Sequence, residues 1–242
     1  MIAIAGIVAA NRAGLGQGIA SWCTAHNSVL RAILRCHRDG GDAILIESRI
    51  LLGGDHLGPN PWKSLSAYDA MHEARQLVHD YVAAGFTKIH LDASMACAGD
   101  GALSEAQMAD RAAELCAVAE AAAGGVALSY VIGTEVPIPG GETDVLDTLA
   151  VTRPENAERT YRLHCEAFAR SGLDMALARV VGLVVQPGVD FGNSQVFAYE
   201  PERAVDLVRS LDRLPGLVFE AHSTDYQTEA ALKALVAGHF AI

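Results

Sequence analysis

The C-terminal end of each strand that can be read in this chain carries a polar or ionisable residue, and a helix-period segment follows nearly every one. In chain order these ends are His26, Glu47, Asp55 with His56, His90 with Asp92, Glu135, Gln186, and Glu220 with His222. Strands that alternate with helices build parallel sheets. A barrel of such units carries its chemistry at the C-terminal rim, where several strands each supply a group. The pattern therefore predicts a TIM (β/α)8 barrel and the position of its site together. The 242 residues suit one domain spanning 1–242, since such barrels run to ~250 residues.

The strands are read at Gly18 to Ala25, Ala43 to Glu47, Ile50 to Asp55, Lys88 to Asp92, Ala127 to Glu135, Arg179 to Gln186 and Leu217 to His222. Phe240-Ala241-Ile242 opens an eighth. Helices are expected near 28–37, 67–84, from about 105, 155–169, 202–210 and 228–237. In the second of these the apolar positions recur at the helical period, and Gly85 stands at the stop. Ser104 with Gln107, and Thr152 with Glu155, have the spacing of capping boxes. Two places interrupt the rhythm. Only Ser48-Arg49 separates the second and third strands, whereas parallel neighbours need a crossover of a dozen or more residues. The chain also stops as the eighth strand opens. Further residues are expected at both places in the complete protein.

A net charge of −11 argues against a nucleic-acid or anionic-membrane surface. The five cysteines, Cys23, Cys36, Cys97, Cys116 and Cys165, are odd in number and form no CxxC pair. Free thiols in a reducing cytoplasm are the expectation. The opening apolar run lacks a preceding basic segment and is too short for a membrane span. It reads as a helix across the base of the barrel.

Positions two apart share a strand face, so His90 with Asp92, and Glu220 with His222, can point into the barrel mouth as pairs. Asp55 and His56 face opposite ways on a regular strand, one lining the site and the other bracing it. His56, His90 and His222 could ligate one divalent metal, with Zn²⁺ the match for neutral imidazoles. Asp55, Asp92, Glu135 and Glu220 could then orient the rings or move protons. His26, Glu47, Gln186 and Asn60 are candidate substrate contacts. The competing reading is a hydrogen-bonded rim that holds the mouth together, and both stay open, because no contiguous metal motif is present. His72, His79 and His164 are expected on helix surfaces. Lys88 and Arg179 open their strands and are expected at the far, stabilising face. Neither GxxxxGK[ST] nor GxGxxG occurs, so a nucleotide site is not supported.

Five stretches carry a family resemblance: GGDHLGPN from Gly53, KIHLDASMAC from Lys88, YVIGTEVPIPGG from Tyr130, VVQPGVDF from Val184 and FEAHSTDYQT from Phe219. From about Gly18 to Ile242 the chain resembles the D-tagatose-1,6-bisphosphate aldolase subunit of the GatZ/KbaZ type. The resemblance implies a TIM barrel in galactitol, tagatose or N-acetylgalactosamine catabolism. It implies an accessory, non-catalytic, stabilising subunit, with a catalytic class II aldolase subunit and a phosphorylated ketohexose as its partners. Members also carry the label tagatose-6-phosphate kinase. Asp55-His56 is similar to the Asp-His pair that gives class II aldolases a proton donor and a zinc ligand, with His90 and His222 completing the set. The alternative is an aldolase, a metal-dependent lyase, in its own right.

Overall fold

The computed structural model describes residues 4–18, 53–134, 149–192 and 195–241. The first two expected strands, the helix between them, His26, Glu47, Glu135, the Pro139-Gly140-Gly141 turn and the two N-terminal cysteines lie outside the described residues. Helix α1 spans Ile4–Arg12. The alternating series follows as β1 Gly53–Leu57, α2 Ala67–Ala83, β2 Lys88–Leu91, α3 Glu105–Ala122, β3 Ser129–Ile132, α4 Pro154–Arg170, a short α5 Asp174–Leu177 and β4 Val180–Val184. A small antiparallel pair, β5 Asp190–Phe191 with β6 Val196–Phe197, was not among the expected strands. It precedes α6 Pro201–Ser210, β7 Val218–Glu220 and α7 Glu229–Ala237.

Strands β1, β2, β3, β4 and β7 form one parallel sheet in that order. Neighbours in sequence are neighbours in the sheet, so the chain winds steadily one way around it. Both faces of β2 and β4 are buried, as parallel strands require when helices cover one side. On the helix side, Ile89, Leu91, Tyr130, Ile132, Leu183 and Phe219 pack with residues of α2, α3, α4 and α6. On the other side, Ile4 and Val8 of α1 close with Val181, Val218 and Ala241 into a second apolar cluster. This places α1 against that face of the sheet, beside β4 and β7. Asn11 fastens it there. The Asn11 side-chain amide donates to the Gln17 and Val236 carbonyls, and its oxygen meets the His239 ring 2.6 Å away.

The sheet curls strongly. In a flat sheet β1 and β7 would stand four spacings apart, ~19 Å. Here the rings of His56 and His222, carried by those two strands' ends, have centroids 4.7 Å apart. Beyond β7, Phe240 makes a parallel bridge to Phe219, so the chain resumes strand pairing where an eighth strand was expected.

Local signals were mostly obeyed. Ser104 and Gln107 make a complete capping box at α3, and Ser66 and Thr228 cap α2 and α7. Thr152 does not cap α4, whose cap is Arg153 with Pro154 opening the first turn. Its hydroxyl instead accepts the Gln186 N–H at 2.8 Å, tying the chain before α4 to the end of β4. His164 is also corrected. It is buried, with Nδ1 2.8 Å from the Thr160 carbonyl. Ala157, Thr160, His164, Ala167 and Phe168 form the buried stripe of α4, and the helical period carries the ring inward with them. Burial pushes its pKa down to about 4. His72 and His79 are exposed as expected, and Cys97, Cys116 and Cys165 are free thiols.

Candidate metal and proton-transfer site

The strand ends converge at one place. His90 stands on β2, with Asp92 immediately after it. Glu220 closes β7, and His222 follows two residues on. Alternation puts each pair on the inner face, as read from sequence. The end of β1 departs from that rule. Gly54 pairs with Ile89 and Leu57 with Leu91, so β1 holds one residue more than its partner. His56 absorbs this bulge at φ 49°. A bulge re-aims side chains, and here it turns both Asp55 and His56 into the mouth rather than one in and one out. Gly58 then makes the approach to β2 feasible, since a Cβ there would lie 1.5 Å from the Asp92 carbonyl oxygen.

One ligand atom from each of Asp55, His90, Glu220 and His222 lies within 4.8 Å of all the others. His90 Nδ1 is 2.8 Å from Asp55 Oδ1 and 3.7 Å from Glu220 Oε1. The short contact has Nδ1 donate to the Asp55 carboxylate, while the His56 backbone N–H approaches the same nitrogen at 3.3 Å; the other ring nitrogen is Nε2. That Nε2 is buried without a hydrogen-bond partner among the described residues. A buried polar atom without a partner is rare and calls for a missing group. Of the three imidazoles expected as ligands, His90 and His222 belong to this group of four, and Asp55 and Glu220 join them.

His56 sits beside the group in a series of contacts. Its Nδ1 is 3.0 Å from Asp92 Oδ2, its Nε2 is 3.1 Å from His222 Nδ1, and His222 Nε2 is 3.0 Å from Glu220 Oε1. The two terminal carboxylates can only accept. Three contacts in series need three protons, but two neutral imidazoles carry two. A further proton, or a cation replacing one proton at the Glu220 end, satisfies the whole series.

The carboxylates are ionised despite burial. Burial opposes charge on Asp92, but the bonds from His56 and Ser94 and the nearby His90 outweigh it and hold the carboxyl at about 2. Burial likewise opposes charge on Glu220, yet Lys88 and His222 bring it down to about 2. Asp55 is held well below the usual carboxylate range by His90, Lys88 and His222, against the cost of its burial. The His56 ring is raised: burial works against its charge, but Asp92, Asp55 and Glu220 prevail. Among the described residues, three carboxylates therefore face one ammonium, Lys88. With neutral rings these described groups together carry two negative charges in excess, which matches a divalent cation.

Lys88 is the residue that sequence reasoning misplaced. It opens β2 at the far end, but its Nζ lies 3.0 Å from Glu220 Oε2 and 3.9 Å from Asp55 Oδ1. Residue 90 is only ~7 Å further along the strand, and a four-carbon stem covers that distance inside the sheet. Arg179 behaves as expected. It stays at the far face, where it pairs with Glu120 and the Leu128 carbonyl. Gln186 and Asn60 stand apart from the cluster. The Gln186 side-chain oxygen accepts from Gly188 and Val189 N–H and closes its own turn. Asn60 opens a single 3-10 turn after β1.

A family model described as D-tagatose-1,6-bisphosphate aldolase subunit GatZ/KbaZ-like matches residues 47–242. A D-tagatose 6-phosphate 4-epimerase from Agrobacterium fabrum is 47% identical over 269 residues, covering 95% of this chain and 63% of that protein. The D-tagatose-1,6-bisphosphate aldolase subunit GatZ of Escherichia coli strain K12 is 42% identical over 275 residues, covering 98% and 65%. A crystal structure described as a probable tagatose 6 phosphate kinase from Sinorhizobium meliloti 1021 superposes with a TM-score of 0.80 at 46% identity, over 93% of this chain and 64% of that one. The chain thus spans just under two thirds of the length of these relatives. Both sequence matches run longer than the 242 residues present, so the relatives carry extra residues inside the matched span.

Proposed function

Because the chain belongs to the GatZ/KbaZ-like family of D-tagatose-1,6-bisphosphate aldolase subunits, we propose that it performs metal-dependent aldol-type chemistry on a phosphorylated ketohexose at the rim of a single (β/α)8 barrel. Three features support the barrel: the sequential strand order, the meeting of β1 and β7 side chains, and the strand pairing that resumes at Phe240.

The observation that carries the function is the four-residue group itself, in which one ligand atom of each residue lies within 4.8 Å of all the others. Asp55, His90, Glu220 and His222 would hold the metal. Two imidazoles and two carboxylates suit Zn²⁺. When bound, a divalent cation supplies Lewis-acid stabilisation of a developing oxyanion.

The aldolase and 4-epimerase activities named for two of the relatives meet at one bond. Cleaving a ketohexose phosphate between C3 and C4 takes the proton from the C4 hydroxyl, leaves the electron pair on the C3 fragment as an enediolate, and frees an aldehyde. Protonating the enediolate completes a lyase turnover. Adding it back to the other face of the aldehyde completes a 4-epimerisation. Both need one proton carrier at the C4 oxygen. His56 fits that role: it is partly open at the mouth, with its side chain 19% exposed, and buried Asp92 fixes its ring. A carboxylate that orients an imidazole also favours its protonated form.

The test is turnover of D-tagatose 1,6-bisphosphate and of D-tagatose 6-phosphate by the purified protein, stripped with chelator and then reloaded with Zn²⁺. Metal-dependent loss of either substrate is expected. Protein with Zn²⁺ demonstrably bound that turns over neither would sink the reading.

The word "subunit" in the relatives' names favours a second reading, an accessory partner of a catalytic class II aldolase subunit. In that case adding the protein would raise the partner's activity or lifetime, and His56→Ala would do so equally well.

A further inference from the structure

Lys88 brings its charge to the site from beneath. Its side chain is 5% exposed. The Nζ lies 3.1 Å from Glu220 Oε1, 3.0 Å from Oε2 and 3.9 Å from Asp55 Oδ1. Buried carboxylates brought together repel and are costly to leave unbalanced. The ammonium relieves that repulsion in the protein before any cation arrives. The neighbouring strand leaves it room: a Cβ on Gly53 would meet Lys88 Cδ at 3.1 Å.

We propose that Lys88 is a built-in stand-in for the metal, a positioning residue that holds Glu220 and Asp55 side by side in the metal-free protein and thereby weakens divalent-cation binding. This rests on the cation-site reading above. Lys88 and the cation neutralise the same carboxylates, so by linkage each reduces the gain from the other. Removing Lys88 harms the metal-free protein more than the loaded one, and the cation must then bind more tightly. A lysine that merely scaffolds Glu220 gives the opposite sign, since losing it loosens a ligand and weakens binding.

The experiment measures the Zn²⁺ Kd at neutral pH by competition with a chromophoric chelator, together with Tm with and without metal. It compares the wild type with Lys88→Met, Gly53→Ala, Glu220→Gln and the Lys88→Met/Glu220→Gln pair. Lys88→Met is expected to bind Zn²⁺ about tenfold more tightly or better, within the usual range of such couplings. Its metal-induced rise in Tm should exceed that of the wild type. Gly53→Ala keeps the charge but presses on the lysine stem. It is expected to shift affinity the same way by less, and it decides the matter if Lys88→Met does not fold. Equal or weaker Zn²⁺ affinity in both variants overturns the proposal. If no protein in the set binds Zn²⁺, the cation-site reading fails, and the metal-free stabilities decide the role of Lys88. A Glu220→Gln change that restores stability to Lys88→Met upholds the charge pairing. Losses that simply add overturn it.

Discussion

Replacing Asp92 by Asn tests whether the proton-transfer pair is held by charge. Asp92 Oδ2 faces His56 Nδ1 at 3.0 Å, and Oδ1 accepts from Ser94 N at 3.1 Å and Ser94 Oγ at 2.6 Å. The substitution keeps the shape and removes the charge. The carboxyl titrates at 3.8 when unperturbed and at about 2 in the folded protein. At ~1.4 kcal/mol per unit, that depression is about 2 kcal/mol of stability. A depressed carboxylate contributes above its unfolded value, and the contribution is lost as pH falls through 3.8 toward about 2. His56 has the opposite sign. Its pKa is raised above 6.5, so its contribution is complete below that value and disappears as pH rises through the folded value. Both charges are in place at pH ~5.5, which makes that the reference condition. Urea unfolding of chelator-treated protein should show Asp92→Asn less stable than wild type by about 2 kcal/mol at pH ~5.5, with the gap roughly halved at pH ~3. A gap that stays constant between the two conditions would mean that His56 does not hold Asp92 ionised, and the orienting role would have to be abandoned.

His56→Asn should lower kcat by ~10²–10⁴ with little change in KM, the range for a lost proton carrier; steady-state kinetics on the better of the two substrates decides. Gly58→Ala drives a Cβ into the Asp92 carbonyl, and should cost about 3 kcal/mol or more by overpacking, read as lost soluble yield or a sharply lower Tm. Chelating a protein held at ~100 times its metal Kd should cost about 2.7 kcal/mol, a fall in Tm of about 5–10 °C for a chain of this size; an unchanged melting curve would count against a resident metal. Phe168→Ala, at a fully buried core position, should cost ~3–5 kcal/mol and leave metal affinity within twofold, separating core loss from site loss.

Much of the site was legible because strand parity is local. A polar residue at a strand end, and another two positions away, share a face whatever the rest of the chain does. That is why His90, Asp92, Glu220 and His222 could be paired from sequence. Helix signals were equally local: Ser104 with Gln107 capped α3 as spaced, and Gly85 ended α2 with φ 93°. The departures are places where a partner distant in sequence decided the outcome. Thr152 had the spacing of a cap, but the end of β4 took its hydroxyl. His164 looked like a surface residue, although the stripe of α4 carried it into the core.

Sequence alone determined the alternation of strands and helices, the polar strand ends and the residue types available there. The tertiary structure decided which of those residues meet. His56 and His222 are 166 residues apart and touch only because the sheet curls until β1 and β7 face each other. Asp55 and His56 share the mouth only because β1 carries one residue more than β2. Lys88 joins the site only because its stem, nearly as long as two residues of strand, has room beside Gly53. Curvature, bulge and reach depend on how many elements pack together, and no local pattern encodes them.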